Sequence, residues 1–130
     1  MKARIGHWVT LGIFSAMMTA SAIAYLSGNA QMVETFRHLG YPDYFRTLLG
    51  VAKLLGVVVL LAPRVPPVLR EWAYAGFGIT LLAATISHAV SGDAAAHILA
   101  PVASLGLLVA ARMLAGARRD VPARGVRSAT

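Results

Sequence analysis

The chain has 130 residues, of which 58% are hydrophobic and only 13% are charged, and its mean hydropathy is +0.68. A soluble domain has about 25% charged residues, so this composition excludes a soluble globule and indicates a single membrane domain. The net charge of +7 is concentrated at the two ends and in one short loop, which favours a membrane surface over nucleic acid as the partner. The chain contains no cysteine, which excludes disulfides and thiol chemistry.

Four apolar segments follow one another, each close to the length of about 20 residues that a helix needs to cross a bilayer. They cover residues 8–26, 44–62, 72–90 and 98–115. In lipid each segment must be helical, because an open strand would leave backbone groups without hydrogen bonds. The sequence therefore predicts an all-α, four-transmembrane-helix bundle with up-down-up-down topology over residues 1–117.

The two ends of the chain differ from the spans. Lys2 and Arg4 precede the first span, whose apolar run is longer than the 7–15 or so residues of a signal peptide, and an uncleaved anchor is predicted. Residues 118–130 are basic and poor in large apolar side chains. Because such a segment has little apolar surface to bury, it is predicted to be a disordered tail.

Lysine and arginine are distributed unevenly between the two sides of the predicted bundle. The two ends and the loop at 63–71 share one side and carry nine of these residues, whereas the other side carries only Arg37 and Arg46. The positive-inside rule therefore predicts that both termini are cytoplasmic, in a multi-pass protein of the cell membrane. The long loop at 27–43 then lies on the outer side.

One lysine interrupts the second span. Lys53 lies about 13 Å below Tyr44 at 1.5 Å per residue, with Gly50 and Gly56 three residues to either side. A lysine at the centre of a span costs about 2.5–3.5 kcal/mol and usually faces protein or water. Helical side chains lean toward the N-terminus of their helix, so Lys53 is predicted to lean outward and His88 of the third span inward, where the two converge.

The remaining polar residues of the outer side are predicted to line a chamber that opens to the outer leaflet. For proton transfer the candidates are Lys53 and His88, with Glu34 or Asp93 as the carboxylate. The candidate ligand-binding residues are Arg46, Lys53, Tyr25, Tyr41, Thr85, Ser87 and His88. No metal site is predicted, because the four histidines lack paired metal-ligand spacing and fall on both sides of the membrane.

Two motifs carry a resemblance to a known family. The first consists of residues 39–45 (LGYPDYF) and 50–56 (GVAKLLG). The second consists of residues 69–77 (LREWAYAGF), 84–88 (ATISH) and 92–93 (GD). Over about residues 8–115 the chain resembles the DoxX-like family of small four-helix membrane proteins. The resemblance implies a four-helix bundle in a cytoplasmic membrane. Relatives are linked to quinone-coupled oxidation of sulfur compounds as membrane subunits, to redox-stress complexes and, in animals, to assembly of receptor subunits.

Three functions remain open on the sequence. The first is binding of a lipophilic, quinone-like molecule in the outer chamber, as a redox-associated membrane or accessory subunit, with a quinone as the candidate cofactor. The second is a membrane enzyme that performs acid–base chemistry (isomerisation, epoxide opening or cyclisation) on a lipophilic substrate, or a quinone-linked oxidoreductase subunit. The third is a membrane assembly or interaction protein. The expected partners are the lipid bilayer, a lipophilic small molecule, and a partner membrane subunit or a second copy of the chain, and not nucleic acid.

Overall fold

The structure, a computed structural model, describes residues 2–120, with the side chains of residues 2–116. The described residues form five helices and no strand, which confirms the all-α class. The helices are α1 (Lys2–Leu26), α2 (Ala30–His38), α3 (Asp43–Leu61), α4 (Pro67–Val90) and α5 (Ala95–Asp120).

Four of the helices are long and apolar enough to cross a membrane: α1, α3, α4 and the part of α5 from Ala95 to Gly116. This confirms the four predicted spans and a multi-pass membrane protein. The predicted boundary at residue 117 stays a prediction. Helix α5 continues to Asp120, and residues 121–130 of the predicted tail lie outside the described residues, as does Met1. The cytoplasmic location of the termini also stays a prediction.

The four long helices form a closed bundle. Helix α1 packs against α3 and α5. Helix α4 lies diagonally across the bundle from α1 and packs against the same two helices. The core between them contains Leu11 and Phe14, which are almost completely buried. Phe14 meets Phe77 of α4 edge to face, with ring centroids 5.1 Å apart. Gly56 allows α3 to approach α4 closely, since a Cβ at this position would lie 2.6 Å from the Phe77 ring.

Helix α2 lies where the sequence predicts a loop, in residues 27–43. The side chain of Asn29 caps this helix by accepting a hydrogen bond from the main-chain N–H of Gln31 at 2.9 Å. Phe36 is buried and packs edge to face on the Tyr25 ring at 5.0 Å. A nine-residue helix has little stability alone, so local sequence predicts a loop here. The helix forms because it packs against α1 and α3. We call this end of the bundle the α2 end.

The turn between α4 and α5 places a carboxylate at the α2 end. Gly92 has φ +72°, a left-handed conformation that glycine adopts without a Cβ penalty. Its main-chain N–H bonds to the Ala89 carbonyl at 3.2 Å, and that of Asp93 to the His88 carbonyl at 3.0 Å. This pair of hydrogen bonds is a Schellman motif, which ends α4. The Asp93 side chain is thereby held beside the last turn of α4.

Candidate functional site

A cavity of about 490 Å³ lies within the bundle at the α2 end. Side chains from all five helices line it, and most of its lining is apolar, including Met18, Phe36, Leu49 and Leu81. The polar side chains around it are Ser21, Tyr25, Gln31, Thr35, Tyr41, Lys53, Thr80, His88, His97 and Ser104. Its volume and its mostly apolar lining with few polar groups are typical of small-molecule sites, whose pockets measure about 300–1,000 Å³.

Lys53 contributes the cation in this cavity and is only 7% exposed. Its Nζ donates a hydrogen bond to Ser21 Oγ at 2.7 Å and lies 4.0 Å from the centroid of the Tyr25 ring. Ser21 and Tyr25 are one turn apart on α1, so a single face of α1 holds the ammonium group. Among the residues whose side chains are described, no carboxylate pairs with Lys53.

Asp93 joins two histidines beside the cavity. His38 Nε2 lies 2.6 Å from Asp93 Oδ1, and His88 Nδ1 lies 2.6 Å from Asp93 Oδ2. The hydrogen bonds from His88 and His38 hold the pKa of Asp93 below its usual value of 3.8. The His97 ring stacks on the His88 ring with centroids 5.7 Å apart. Asp93 is therefore a carboxylate held by two imidazoles, one of which also stacks on a third.

These groups line a second pocket of about 350 Å³ that adjoins the cavity. His88 and His97 belong to the walls of both, so the two spaces share these residues. Glu34, a predicted carboxylate, is exposed and lines only the second pocket. Among the described residues no group of three His, Cys, Asp or Glu could hold a metal ion.

Lys53 and His88 line the same cavity, but each has its own partners. Lys53 contacts Ser21 and Tyr25, whereas His88 contacts Asp93 and His97. The structure thus brings the two predicted residues to one chamber without direct contact between them.

Other predicted ligand-binding residues have structural partners. Arg46 donates from Nη1 to the main-chain carbonyl of Tyr25 and is not part of the cavity lining. Thr85 Oγ1 donates to the Leu81 carbonyl at 2.9 Å within α4. Both side chains therefore satisfy backbone groups in the structure.

Tyr41 and Ser87 connect the loop after α2 to α4, since their hydroxyl oxygens lie 2.6 Å apart. Tyr41 also lines the cavity, and its ring stacks on Phe45 at 5.0 Å. This contact lies beside the His88 turn, because Ser87 precedes His88. Tyr41 therefore contributes to the cavity wall, and Ser87 anchors its hydroxyl to α4.

Three residues of the site, His38, His97 and Ser21, were not predicted from the sequence. Ser21 had a detectable signal, since it shares one helical face of α1 with Met18 and Tyr25. The contact between His38 and Asp93 joins residues 55 positions apart. No local spacing reports such a contact, because it depends on how α2 packs over the bundle.

Comparison with known proteins gives one family. The family model described as the DoxX-like family matches residues 9–111. This range includes every residue that lines the cavity, from Met17 to Ser104. Neither a curated protein nor a solved structure gives a significant match to the chain.

Proposed function

The chain belongs to the DoxX-like family, and on this premise we propose that it is a membrane protein that binds a lipophilic, quinone-like molecule in the cavity at the α2 end. The observation that carries the proposal is Lys53, a cation only 7% exposed in a predominantly apolar chamber of about 490 Å³. A buried charge is costly unless other groups solvate it. The ligand is proposed to provide part of that solvation.

The donor capacity of Lys53 exceeds what the surrounding side chains use. An ammonium group carries three N–H donors, and the hydroxyl of Ser21 accepts one of them. The Tyr25 ring interacts with the charge through its face. A carbonyl or hydroxyl oxygen of a bound ring would accept a further hydrogen bond, while the apolar wall packs against the rest of the molecule. Quinones have this combination of an apolar body and ring oxygens.

The proposed role in the cell rests on membership of the DoxX-like family. The protein would act as a redox-associated membrane or accessory subunit. It would assemble with a partner subunit or with a second copy of the chain. Its proposed location is the cytoplasmic membrane with both termini in the cytoplasm, which places the α2 end outside. The uneven distribution of lysine and arginine supports this orientation.

Binding of decylubiquinone to the purified protein in phosphatidylcholine nanodiscs tests the proposal. Wild type is expected to bind it saturably, with one molecule per chain. Lys53→Met is expected to weaken binding by about tenfold or more, because a hydrogen bond to a charged group contributes about 1.5–3 kcal/mol. Lys2→Met removes the same group from an exposed position at the other end and should leave binding unchanged. Equal affinity of Lys53→Met and wild type would refute a ligand site at Lys53.

The His88–Asp93 pair favours a second candidate function, a cofactor-free enzyme. A carboxylate 2.6 Å from one imidazole nitrogen orients the ring so that its other nitrogen can act as a general base. With Lys53 to polarise a substrate oxygen, this arrangement has the groups needed for isomerisation or epoxide opening. Turnover of a lipophilic epoxide by wild type, lost in His88→Gln with binding intact, would establish this function. Equal rates in both proteins would exclude it.

A further inference from the structure

A pocket of about 170 Å³ lies at the end of the bundle opposite the α2 end. The N-terminal parts of α1 and α4 and the C-terminal parts of α3 and α5 contribute its lining. His7 in this lining is buried, and its Nδ1 lies 3.1 Å from the Ala111 carbonyl oxygen, which joins α1 to α5 beside the pocket. The volume is below the range of about 300–1,000 Å³ that whole small molecules occupy. It therefore suits a single polar group.

Positive charge exceeds negative charge in this pocket. Two arginines, Arg70 and Arg112, and one carboxylate, Glu71, belong to its lining. Arg112 Nε lies 3.0 Å from one oxygen of Glu71 and 3.1 Å from the other, so these two side chains pair with each other. No carboxylate pairs with Arg70 among the side chains that the structure describes. Because arginine stays protonated in proteins, its positive charge persists at every physiological pH.

The Arg70 guanidinium is held in place and has donors that the protein does not use. Its Nη2 donates a hydrogen bond to the carbonyl of Ala62, the residue that ends α3. Its Nε is buried and has no hydrogen-bond partner within the described part of the chain, although most buried polar groups have one. A guanidinium presents its N–H donors as a planar fork that matches the geometry of a phosphate. An anion bound at Arg70 would provide acceptors for the unused donors.

The pocket lies at the depth of the lipid headgroups. Helix α3 ends at Leu61 beside it. Trp8 in the pocket lining and the neighbouring Trp72 are 45% and 68% exposed, as in the aromatic belts at membrane interfaces. Exposed basic side chains occupy the same end of the bundle: Lys2, Arg4 and Arg64. Phospholipid phosphates are therefore the anions that this pocket meets first.

We propose that this pocket binds the phosphate of one anionic phospholipid, such as phosphatidylglycerol, and that Arg70 donates hydrogen bonds to the phosphate oxygens. Basic pockets between transmembrane helices bind anionic headgroups in this way. The acyl chains remain in the bilayer, since the pocket accommodates only the polar group. The excess positive charge disfavours phosphatidylcholine, whose headgroup carries its own cation. This site is separate from the cavity around Lys53, so it goes beyond the proposed function.

Native mass spectrometry of the delipidated protein in dodecylmaltoside micelles tests the proposal. Wild type is expected to retain one phosphatidylglycerol per chain and to bind it about tenfold more tightly than phosphatidylcholine, the range of one charge-assisted hydrogen bond. Soluble glycerol phosphate at the same concentration should not displace the lipid, because it lacks the acyl chains that hold the headgroup at the interface. Equal affinity for the two phospholipids would overturn the proposal. Displacement by glycerol phosphate would overturn the assignment to a lipid.

Variants assign the selectivity to the pocket. Arg70→Gln should weaken phosphatidylglycerol binding about tenfold or more, and Arg70→Lys should restore part of it, since lysine keeps the charge without the planar fork. Arg4→Gln is the matched control, because it removes an exposed charge at the same end outside the pocket lining, and it should leave the affinity unchanged. An equal loss in Arg4→Gln and Arg70→Gln would indicate attraction to the general surface charge and contradict the proposal.

Glu71→Gln provides a test that does not depend on the folding of the Arg70 variants. The substitution removes the negative charge from the pocket and releases Arg112 from its pair, so phosphatidylglycerol should bind more tightly than to wild type. The ion pair is partly exposed, with side chains 42% and 48% accessible, and such pairs contribute little to stability. A gain in affinity cannot result from loss of structure. Unchanged or weaker binding in Glu71→Gln would refute a phosphate site between these side chains.

Discussion

Replacing Lys53 by methionine should leave the stability of the bundle nearly unchanged. The substitution keeps the length of the side chain and removes its charge. A lysine at the centre of a span costs about 2.5–3.5 kcal/mol. Two contacts offset this cost. The hydrogen bond from the charged donor to Ser21 contributes about 1.5–3 kcal/mol, and the contact with the Tyr25 ring contributes about 0.5–2 kcal/mol.

The middle values of these ranges, about 3 kcal/mol of cost and about 3.5 kcal/mol of favourable contacts, nearly cancel, so the free energy of unfolding should change by only about 1 kcal/mol. The Ser21 hydroxyl left behind need not stay without a partner. It can donate to a carbonyl of its own helix, as Thr10 does to Gly6 at 2.6 Å. Methionine also fills the space that the lysine side chain occupied, because it is flexible and apolar.

Equilibrium unfolding of the purified protein in mixed micelles measures this change. The two tryptophans of the chain are suitable reporters, since Trp8 and Trp72 do not line the cavity. Lys2→Met is the matched control. A loss of more than about 3 kcal/mol in Lys53→Met, the penalty for breaking a buried charged contact on which the fold depends, would refute the reasoning. It would indicate that the lysine holds the helices together, as an assembly protein would require.

Four further substitutions probe the packing and the turn at the site. Gly56→Ala should destabilise by about 1–3 kcal/mol through overpacking against Phe77, whereas Gly76→Ala, where a Cβ meets nothing within 4 Å, should be neutral or stabilising in thermal unfolding. Gly92→Ala should cost about 1–2 kcal/mol in the same assay because of its φ of +72°. The contribution of Asp93 should be complete above about pH 4 and lost as pH falls through its lowered pKa, since the unfolded value is 3.8. Acid melts of Asp93→Asn should lack this loss, and identical acid sensitivity in both proteins would contradict it.

Part of the candidate site could be predicted from local sequence. The depth of Lys53 in its span is visible from the chain alone, and its cost in lipid demands a partner. The proximity of His88 and Asp93 is also local, because Gly92 between them ends α4 in a left-handed turn. The sequence predicted that Lys53 and His88 converge, but it did not predict the partner of either side chain. Both side chains reach one cavity, and each has a different partner there.

The sequence by itself determined the all-α bundle with four spans, because lipid leaves the backbone no polar partner other than its own helix. That constraint acts on each segment separately and needs no knowledge of its neighbours. Only the tertiary structure decided that α1 presents Ser21 and Tyr25 to the ammonium of Lys53, and that α2 brings His38 to Asp93. These contacts depend on the packing of helices distant in the chain, since a hydrogen bond requires both position and direction, which periodicity in one helix does not specify.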